Sequence, residues 1–218
     1  MQNKSINKYT SYKKARDAAW QLIIDMNINE LPVKVSSIIR NLGIGLYTYQ
    51  DNEDTIKKLG LDKITKTSDG FTLLMSNQYK VFYDSSKSNE RIRFTLAHEL
   101  GHIICKHEFQ PTAESYITTR NTEPSINDNP IETEANMFAA RLLAPACVLH
   151  ELKLFTAEEI AEHCCISQQA AEFRCQRLLL LEKRNKQFLF ERDYGCYYIS
   201  NLEKQVKEQF SNYINNHL

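Results

Sequence analysis

Residues 93–106 read Arg-Phe-Thr-Leu-Ala-His-Glu-Leu-Gly-His-Ile-Ile-Cys-Lys and contain the pattern His-Glu-x-x-His. In a helix, His98 and His102 are one turn plus about 40° apart, so both imidazoles leave the same face. Two imidazoles at this spacing can bind one metal ion. Glu99 lies about 100° from His98 on the flank of the pair, where its carboxylate can reach a water molecule at the metal. This position predicts that Glu99 acts as a base.

The residues around the two histidines make this helix mostly apolar on both sides of the pair. Histidines on a helix are often surface residues or satisfied core donors, which is the alternative to a metal site. A buried helix, however, needs a reason to carry two imidazoles, because unpaired polar groups are costly to bury. Gly101 costs about 1 kcal/mol of helix propensity relative to alanine, which predicts that another element packs closely there.

A second helix is predicted further along the chain, with sharp signals at both ends. Asn129 is placed as its cap and Pro130 in its first turn, and Pro145 stops it. Its face carries small alanines, which would let it approach the first helix closely: Ala135, Ala139 and Ala140.

The carboxylate at the head of this second helix is the predicted third metal ligand. Glu132 could reach a metal held by the two histidines, and Asn136, one turn later, could accept a hydrogen bond that orients a ligand histidine. The alternative is that Glu132 only completes a capping box begun by Asn129. His107 is a poorer candidate, because five residues beyond His102 correspond to about 140° of helix rotation.

The composition argues against a partner attracted by charge. Lysine plus arginine and aspartate plus glutamate number 27 each among 218 residues, so no global field favours nucleic acid or an anionic membrane. No stretch approaches about eighteen consecutive apolar residues, and the N-terminus lacks the apolar core of a signal peptide. We therefore expect a cytoplasmic protein without direct nucleic-acid or membrane partners. The six cysteines form no Cys-x-x-Cys pair, which favours reduced thiols.

The N-terminal half outside the motif is predicted to mix helices with a few strands. Apolar spacing and turn residues indicate two helices, one strand, a polar loop with at most one helical turn, and a hairpin, over residues 11–26, 33–42, 44–49, 51–69 and 71–83. The hairpin turns at Asn77-Gln78 and leads into the metal helix. The strand immediately upstream of that helix could offer its edge to an extended peptide, or the hairpin could be ordinary core.

Breaker-rich residues 107–130 predict a mobile loop near the site. Beyond it, helices over 156–163 and 167–184 resemble a helix-turn-helix. Residues 151–186 carry six acidic and six basic side chains, a balance that favours packing or substrate docking over DNA binding. A last hairpin, with strands at 188–190 and 196–199, and an amphipathic helix over 202–214 complete the expected order.

Two segments carry a specific resemblance to a known family. Residues 93–102, Arg-Phe-Thr-Leu-Ala-His-Glu-Leu-Gly-His, and 132–145, Glu-Thr-Glu-Ala-Asn-Met-Phe-Ala-Ala-Arg-Leu-Leu-Ala-Pro, resemble the ImmA/IrrE metallopeptidases of bacteria and phages. The resemblance covers roughly residues 15–180. It implies that His98, His102 and Glu132 bind Zn²⁺ and that Glu99 is the catalytic base. The family's usual Leu-Leu-Met-Pro reads Leu-Leu-Ala-Pro here.

The predicted fold is therefore α+β: a mostly helical, zincin-like core with a small antiparallel sheet, followed by a helix-turn-helix-like segment and a short extension. The predicted domains are residues 1–148, 149–186 and 187–218. The resemblance implies a zinc metalloendopeptidase that cleaves a helix-turn-helix repressor encoded nearby, which relieves repression of a mobile element or stress genes. The alternative is a DNA- or repressor-binding regulator with structural zinc and no proteolysis.

The candidates for stabilising an oxyanion each have a simpler structural explanation: Tyr83, His107, Tyr116 and His150.

Overall fold

The computed structural model of the chain describes the backbone of residues 2–107, 129–191 and 201–218. Side chains are described for residues 13–107, 129–181, 183 and 201–218. The predicted mobile loop therefore lies almost entirely outside the described residues, as does the second strand of the predicted last hairpin.

Helices dominate the described residues, and one small sheet accompanies them, which confirms the predicted α+β class. The elements in chain order are α1 Gln2–Asp25, α2 Val35–Asn41, β1 Gly45–Thr48, α3 Glu53–Lys58, β2 Gly70–Met75, β3 Gln78–Tyr83, α4 Asn89–Ile104, α5 Pro130–Leu143, α6 Ala146–Glu151, α7 Ala157–Cys164, α8 Gln168–Glu191, α9 Asn201–Gln209 and α10 Ser211–His217. The chain forms two compact units, one of Met1–Ala18 and Lys34–Ala139, the other of Ala19–Val33 and Ala140–Leu218. The three predicted domains stay a prediction.

The sheet of the first unit has the strand order β1-β3-β2. The predicted hairpin is present as the antiparallel pair β2–β3, and its turn is at Ser76 and Asn77, where φ is 49° and 62°. A two-residue hairpin turn of type I′ requires positive φ at both central residues, and asparagine tolerates that conformation. The turn is thus one residue earlier than predicted.

The third strand corrects the prediction of an antiparallel sheet. β1 pairs with β3 in parallel, with Gly45 opposite Lys80 and Thr48 opposite Tyr83. The segment between them, which includes α3 and β2, is long enough to return the chain in the same direction, as a parallel pair needs. Consequently β3, the strand immediately upstream of the metal helix, is central. The hypothesis that this strand offers its edge to a peptide is therefore wrong, and among the described strands β1 and β2 are the outer ones.

The polar stretch 51–69 contains more helix than the single turn expected from its sequence. Short 3-10 turns at Gln50–Asn52 and Ile64–Lys66 flank the region of α3. Acidic residues begin α3 and lysines end it, which complements the helix dipole. Its apolar residues were too widely spaced to show periodicity, yet they join one buried cluster with aromatic residues in the sheet or next to it: Ile56, Leu61, Ile64, Tyr49, Phe71 and Phe82.

Helices α4 and α5 approach each other closely at Gly101, as the sequence predicted. A Cβ at Gly101 would lie 3.0 Å from Phe138 Cδ1, 3.1 Å from the Ala135 carbonyl oxygen and 3.3 Å from Ala135 Cα. Ala135 and Phe138 are fully buried. A glycine on one helix and an alanine on the other therefore set the distance between the helices that carry the candidate metal ligands.

The second unit contains the helices of the predicted helix-turn-helix-like segment. Thr156 and Glu159 form the expected capping box at α7, and the Ser167 hydroxyl accepts from the Ala170 amide at the start of α8. However, α8 continues to Glu191, so the strand predicted at 188–190 is wrong. The density of aromatic residues there indicated a strand, but no glycine or proline stands before the run to end the helix.

The predicted C-terminal helix is split into α9 and α10 at Phe210. Its apolar face is nevertheless continuous, because Val206, Phe210 and Ile214 are all buried. Gln209 Nε2 donates to the carbonyl oxygens of Ile23 and Ile28, at 2.8 Å and 2.6 Å. The C-terminal residues are thus an integral part of the second unit.

The five cysteines in the described residues form no disulfide with one another, and Cys196 lies outside that part. Among the helices that the structure describes, none combines the length and the apolar character needed to cross a membrane.

Substitution Gly101→Ala tests the close approach of α4 and α5. At an open helical position this change would stabilise the protein by about 1 kcal/mol. Here the added methyl group meets the backbone of Ala135, and overpacking costs about 1–3 kcal/mol, so the free energy of unfolding should fall. Urea unfolding of the metal-free protein measures the difference. A gain in stability of the size expected at an open position would contradict the close packing of α4 against α5 at Gly101.

Candidate metal centre

Helix α4 presents its two histidines to one point. Ser88 caps the helix, with its hydroxyl accepting from the Arg91 amide at 3.3 Å. The Nε2 atoms of His98 and His102 lie 3.0 Å apart, and the ring centroids 4.7 Å apart. Leu100 and Ala97 are buried on the same helix, so packing fixes the helix from which both imidazoles project.

Glu132, from the first turn of α5, places both carboxylate oxygens against the histidine pair. Its Oε2 lies 3.2 Å from His98 Nε2, and its Oε1 lies 3.5 Å from His102 Nε2. Burial acts to raise the pKa of the Glu132 carboxyl, but its contacts with His102 and His98 outweigh burial, and the pKa lies well below its ordinary value. Glu132 is thus an anion at neutral pH.

The cap of α5 is a different side chain. Asn129 Oδ1 accepts from the amides of Ile131 and Glu132, at 3.1 Å and 3.4 Å. The Glu132 carboxylate, in contrast, points to His98 and His102. This geometry favours the ligand interpretation of Glu132 over the capping-box interpretation.

These three donor groups fit a divalent metal of the zinc type. For Zn–N and Zn–O bonds of about 2.0–2.1 Å, neighbouring atoms of a tetrahedral ligand set lie about 3.3–3.4 Å apart. The separations of 3.0, 3.2 and 3.5 Å lie close to that value. Two imidazoles and one carboxylate also match a catalytic ligand set, which leaves a fourth position open.

A hydrogen bond from α5 fixes the tautomer of His98. Asn136 Oδ1 lies 2.9 Å from His98 Nδ1, and an amide oxygen only accepts, so Nδ1 carries the proton. The Nε2 lone pair then faces Glu132. This is the contact expected for Asn136 from its place one turn after Glu132.

Glu99 is buried beside the two histidines, with 1% of its surface exposed. The hydroxyl of Thr72, on β2, donates to Glu99 Oε2 at 2.8 Å, and Thr72 is itself fully buried. Packing between β2 and α4 is tight, since a Cβ at Gly70 would overlap Thr95 Cγ2 on α4. Sequence reasoning missed Thr72, and the available signal was a lone hydroxyl inside an apolar strand.

A second polar cluster adjoins the first. Cys105, His107 and Glu134 bring a sulfur, a nitrogen and an oxygen within 4.8 Å of one another. Burial, the largest cause, raises the pKa of the Cys105 thiol to about 12, with Glu134 adding to it, so this thiol is protonated at neutral pH. Burial and the neighbouring His102 lower the pKa of His107 to about 4.

His107 touches His102 in a way that helical geometry does not predict. α4 ends at Ile104, and Lys106 has a positive φ of 58°, so the chain turns back after the helix. His107 Nδ1 consequently lies 2.9 Å from His102 Nδ1, on the side of the ring away from Glu132. Sequence reasoning also missed Glu134, two residues after Glu132.

Of the residues considered for oxyanion stabilisation, Tyr116 lies outside the described residues. His150 belongs to the second compact unit, where its ring meets the edge of Phe155 at a centroid distance of 5.9 Å. Tyr83 ends β3 and is half-buried. These positions assign none of them to the chemistry.

A helix that presents His-Glu-x-x-His to a glutamate on a neighbouring helix defines a metallopeptidase-type domain. The sequence matches the family described as the IrrE N-terminal-like domain over residues 55–176, more than half of the chain. The chain therefore belongs to this family of metal-dependent peptidases, and the resemblance noted from the sequence is confirmed. No curated protein matches the sequence.

Metal content separates the two interpretations of Glu132. We expect Glu132→Gln to lose most of its bound metal while remaining folded, because an anionic ligand is replaced by a neutral one. The matched control is Asn129→Ala, which removes the cap, costs about 1 kcal/mol of stability and should keep its metal. Atomic absorption of the dialysed proteins, with circular dichroism to check folding, makes the comparison. Equal metal content in Glu132→Gln and the wild type would refute the ligand role.

Proposed function

We propose that this protein is a cytoplasmic, zinc-dependent endopeptidase that cleaves a helix-turn-helix transcriptional repressor and so relieves repression of a mobile element or stress genes. The observation that carries the proposal is the buried carboxylate of Glu99, held by Thr72 beside three convergent metal-ligating groups. Membership of the IrrE N-terminal-like family supports peptide hydrolysis.

In this proposal His98, His102 and Glu132 are the ligands of the zinc ion. Zinc bound there would lower the pKa of a water molecule to about 7 and polarise the scissile carbonyl group. Two neutral imidazoles and one carboxylate leave a net charge near +1, which suits both effects. Asn136 holds His98 in the tautomer whose Nε2 lone pair faces the cluster.

Glu99 is the proposed general base and acid. Its carboxylate accepts the proton of the attacking water and then passes it to the leaving amine. The hydrogen bond from Thr72 fixes one carboxylate oxygen, so the side chain keeps its orientation while the proton moves. Burial of Glu99 keeps bulk water from competing for that proton.

Strand β2 supports the choice of an extended peptide segment as substrate. It is an outer strand of the described sheet, and it also carries Thr72, the partner of Glu99. A segment that pairs with β2 along its outer edge would therefore lie along the strand that contacts the base. This pairing recognises backbone rather than sequence, so selection of one repressor requires docking elsewhere on the substrate.

The family resemblance suggests a repressor encoded beside the gene of this chain, cut at one site or very few. The alternative function is a DNA- or repressor-binding regulator with structural zinc, and α7 with α8 is the feature that favours it. The segment that contains these two helices, residues 151–186, has equal numbers of acidic and basic side chains. This balance argues against DNA binding, because contacts with phosphates dominate DNA affinity. A gel shift at physiological salt with specific nanomolar binding would favour the alternative.

The experiment that tests the proposal uses the zinc-loaded protein, the neighbouring repressor and casein. We expect one or very few repressor fragments by mass spectrometry and little digestion of casein. Glu99→Gln should bind about one zinc per chain and yield no fragments, since only the base is removed. Cleavage by Glu99→Gln at the wild-type rate would sink the mechanism. Broad casein digestion with an intact repressor would overturn the proposed selectivity, and tight association without fragments would indicate an inactive binding module.

The contact between Thr72 and Glu99 gives a separate prediction. Thr72→Val keeps the shape of the side chain but removes the hydroxyl, and a hydrogen bond to a charged group contributes about 1.5–3 kcal/mol. We expect kcat for repressor cleavage to fall roughly tenfold to a hundredfold, with zinc content unchanged. Thr72→Ser, which retains the hydroxyl, is the matched control and should remain within a few-fold of the wild type. Equal rates for Val and Ser variants would contradict the role.

A further inference from the structure

A contact between His102 and His107, on the side of the His102 ring that faces away from the candidate metal site, determines where the protons of the two rings lie. His102 Nδ1 and His107 Nδ1 are 2.9 Å apart, so one nitrogen carries a hydrogen and the other accepts it. If His107 donated, a neutral His102 would carry its proton on Nε2 and would have no lone pair for a metal. Only donation from His102 to His107 is compatible with binding of a metal by neutral His102.

This assignment extends to the far side of His107. With Nδ1 acting as acceptor, a neutral His107 carries its hydrogen on Nε2, which is buried and has no hydrogen-bond partner within the described part of the chain. Glu134 Oε2 lies 3.6 Å from this nitrogen, a few tenths of an ångström beyond hydrogen-bond distance. A small shift of either side chain would therefore satisfy a buried donor with a charged acceptor.

Glu134 is itself fixed by its surroundings. Its Oε1 lies 3.1 Å from Lys14 Nζ, and the same ammonium group lies 3.5 Å from the Cys105 carbonyl oxygen. The carboxylate is largely buried, with 9% of the residue exposed. Lys14 of α1 thus forms an ion pair with the oxygen that does not face His107.

We infer that His107 and Glu134 are positioning residues for the metal ligand His102. In this arrangement His102 Nδ1–H donates to His107 Nδ1, and His107 Nε2–H donates to the Glu134 carboxylate. The two hydrogen bonds orient the His102 ring and increase the electron density at its Nε2. A carboxylate or carbonyl group commonly plays this part directly on a ligand histidine. Here a second imidazole stands between the ligand and the carboxylate. The inference rests on the proposed role of His102 as a metal ligand.

The same assignment of hydrogens to ring nitrogens argues against a second metal site at Cys105, His107 and Glu134. A metal there would need the Nε2 lone pair of His107, which would place the His107 proton on Nδ1 and oblige it to donate to His102. His102 would then lose the lone pair needed at the first cluster. Neutral rings can therefore serve one cluster or the other, and the ligand role proposed for His102 assigns them to the first.

Zinc affinity, measured by competition with a chromophoric chelator, tests the inference without any measurement of activity. We expect His107→Ala to bind zinc about tenfold to a hundredfold more weakly than the wild type, the usual loss for such partners. His107→Asn, whose Oδ1 can replace the accepting Nδ1, should recover most of the affinity. Glu134→Gln should lose about tenfold, and His150→Ala, a histidine change in the other unit, should lose none. Thermal unfolding of each metal-free variant shows whether it folds.

Proton positions give a second readout in the zinc-loaded wild type. Long-range ¹H–¹⁵N correlation spectra should show His102 protonated on Nδ1 and His107 protonated on Nε2. Protonation of His107 on Nδ1, wild-type zinc affinity in both His107→Ala and Glu134→Gln, or a second bound zinc that Cys105→Ser removes would each overturn the inference. These results would leave the proposed function standing, whereas a wild type that binds no zinc would overturn both.

Discussion

The close approach of α4 and α5 at Gly101 is the constraint on which the candidate site depends. The histidines come from one helix and Glu132 from the other, so the distance between the helices decides whether three donor atoms can share one metal. A side chain at position 101 would meet backbone atoms of Ala135, which cannot move out of the way as a flexible side-chain end can. Gly101 thus costs helix propensity, but it allows the short helix separation that sets the geometry of the site.

Hydrogen bonds then orient the side chains that this close approach brings together. Asn136, one turn after Glu132 on the same helix, sets the proton of His98, and His107 contacts the corresponding nitrogen of His102. Each ring is therefore held at the nitrogen that faces away from Glu132. Thr72 does the same for the carboxylate of Glu99 from the sheet. The site draws on two helices, one strand and the turn after α4, and each of its residues lies in the first compact unit.

Periodicity and spacing predicted the parts of the fold that depend on local sequence. The two helices of the site, the hairpin, the close contact at Gly101 and the capping box at Thr156 follow from residue patterns within about fifteen positions. The parallel pairing of β1 with β3 could not be predicted from local sequence, because it depends on a contact between distant segments. The extent of α8 was also missed, since the aromatic residues near its end indicate a strand as readily as a helix.

The candidate site shows the same division. Glu132 and Asn136 could be predicted because a helix places residues one turn apart on one face. Thr72, His107 and Glu134 could not, since each reaches the site through a strand pairing, a left-handed residue after a helix, or a contact across helices. Motifs thus identify the groups that contact a metal more readily than the groups that orient them.

The arrangement of acceptors around Glu132 explains why these residues suit a cation. Once Asn136 and His107 take the Nδ1 hydrogens, both Nε2 lone pairs and the carboxylate oxygens converge within 3.5 Å. Acceptors held that closely need a positive charge between them. Hydrogens on the two imidazoles supply it where they lower the pKa of Glu132 despite its burial, and a divalent ion would supply it in their place. The outer hydrogen bonds therefore do more than orient the rings, because they commit both imidazoles to present lone pairs where a divalent ion would gain most. The packing at Gly101 thus sets the separation of the two helices, and the contacts of Asn136 and His107 make the Nε2 lone pairs of the two imidazoles available to a metal ion.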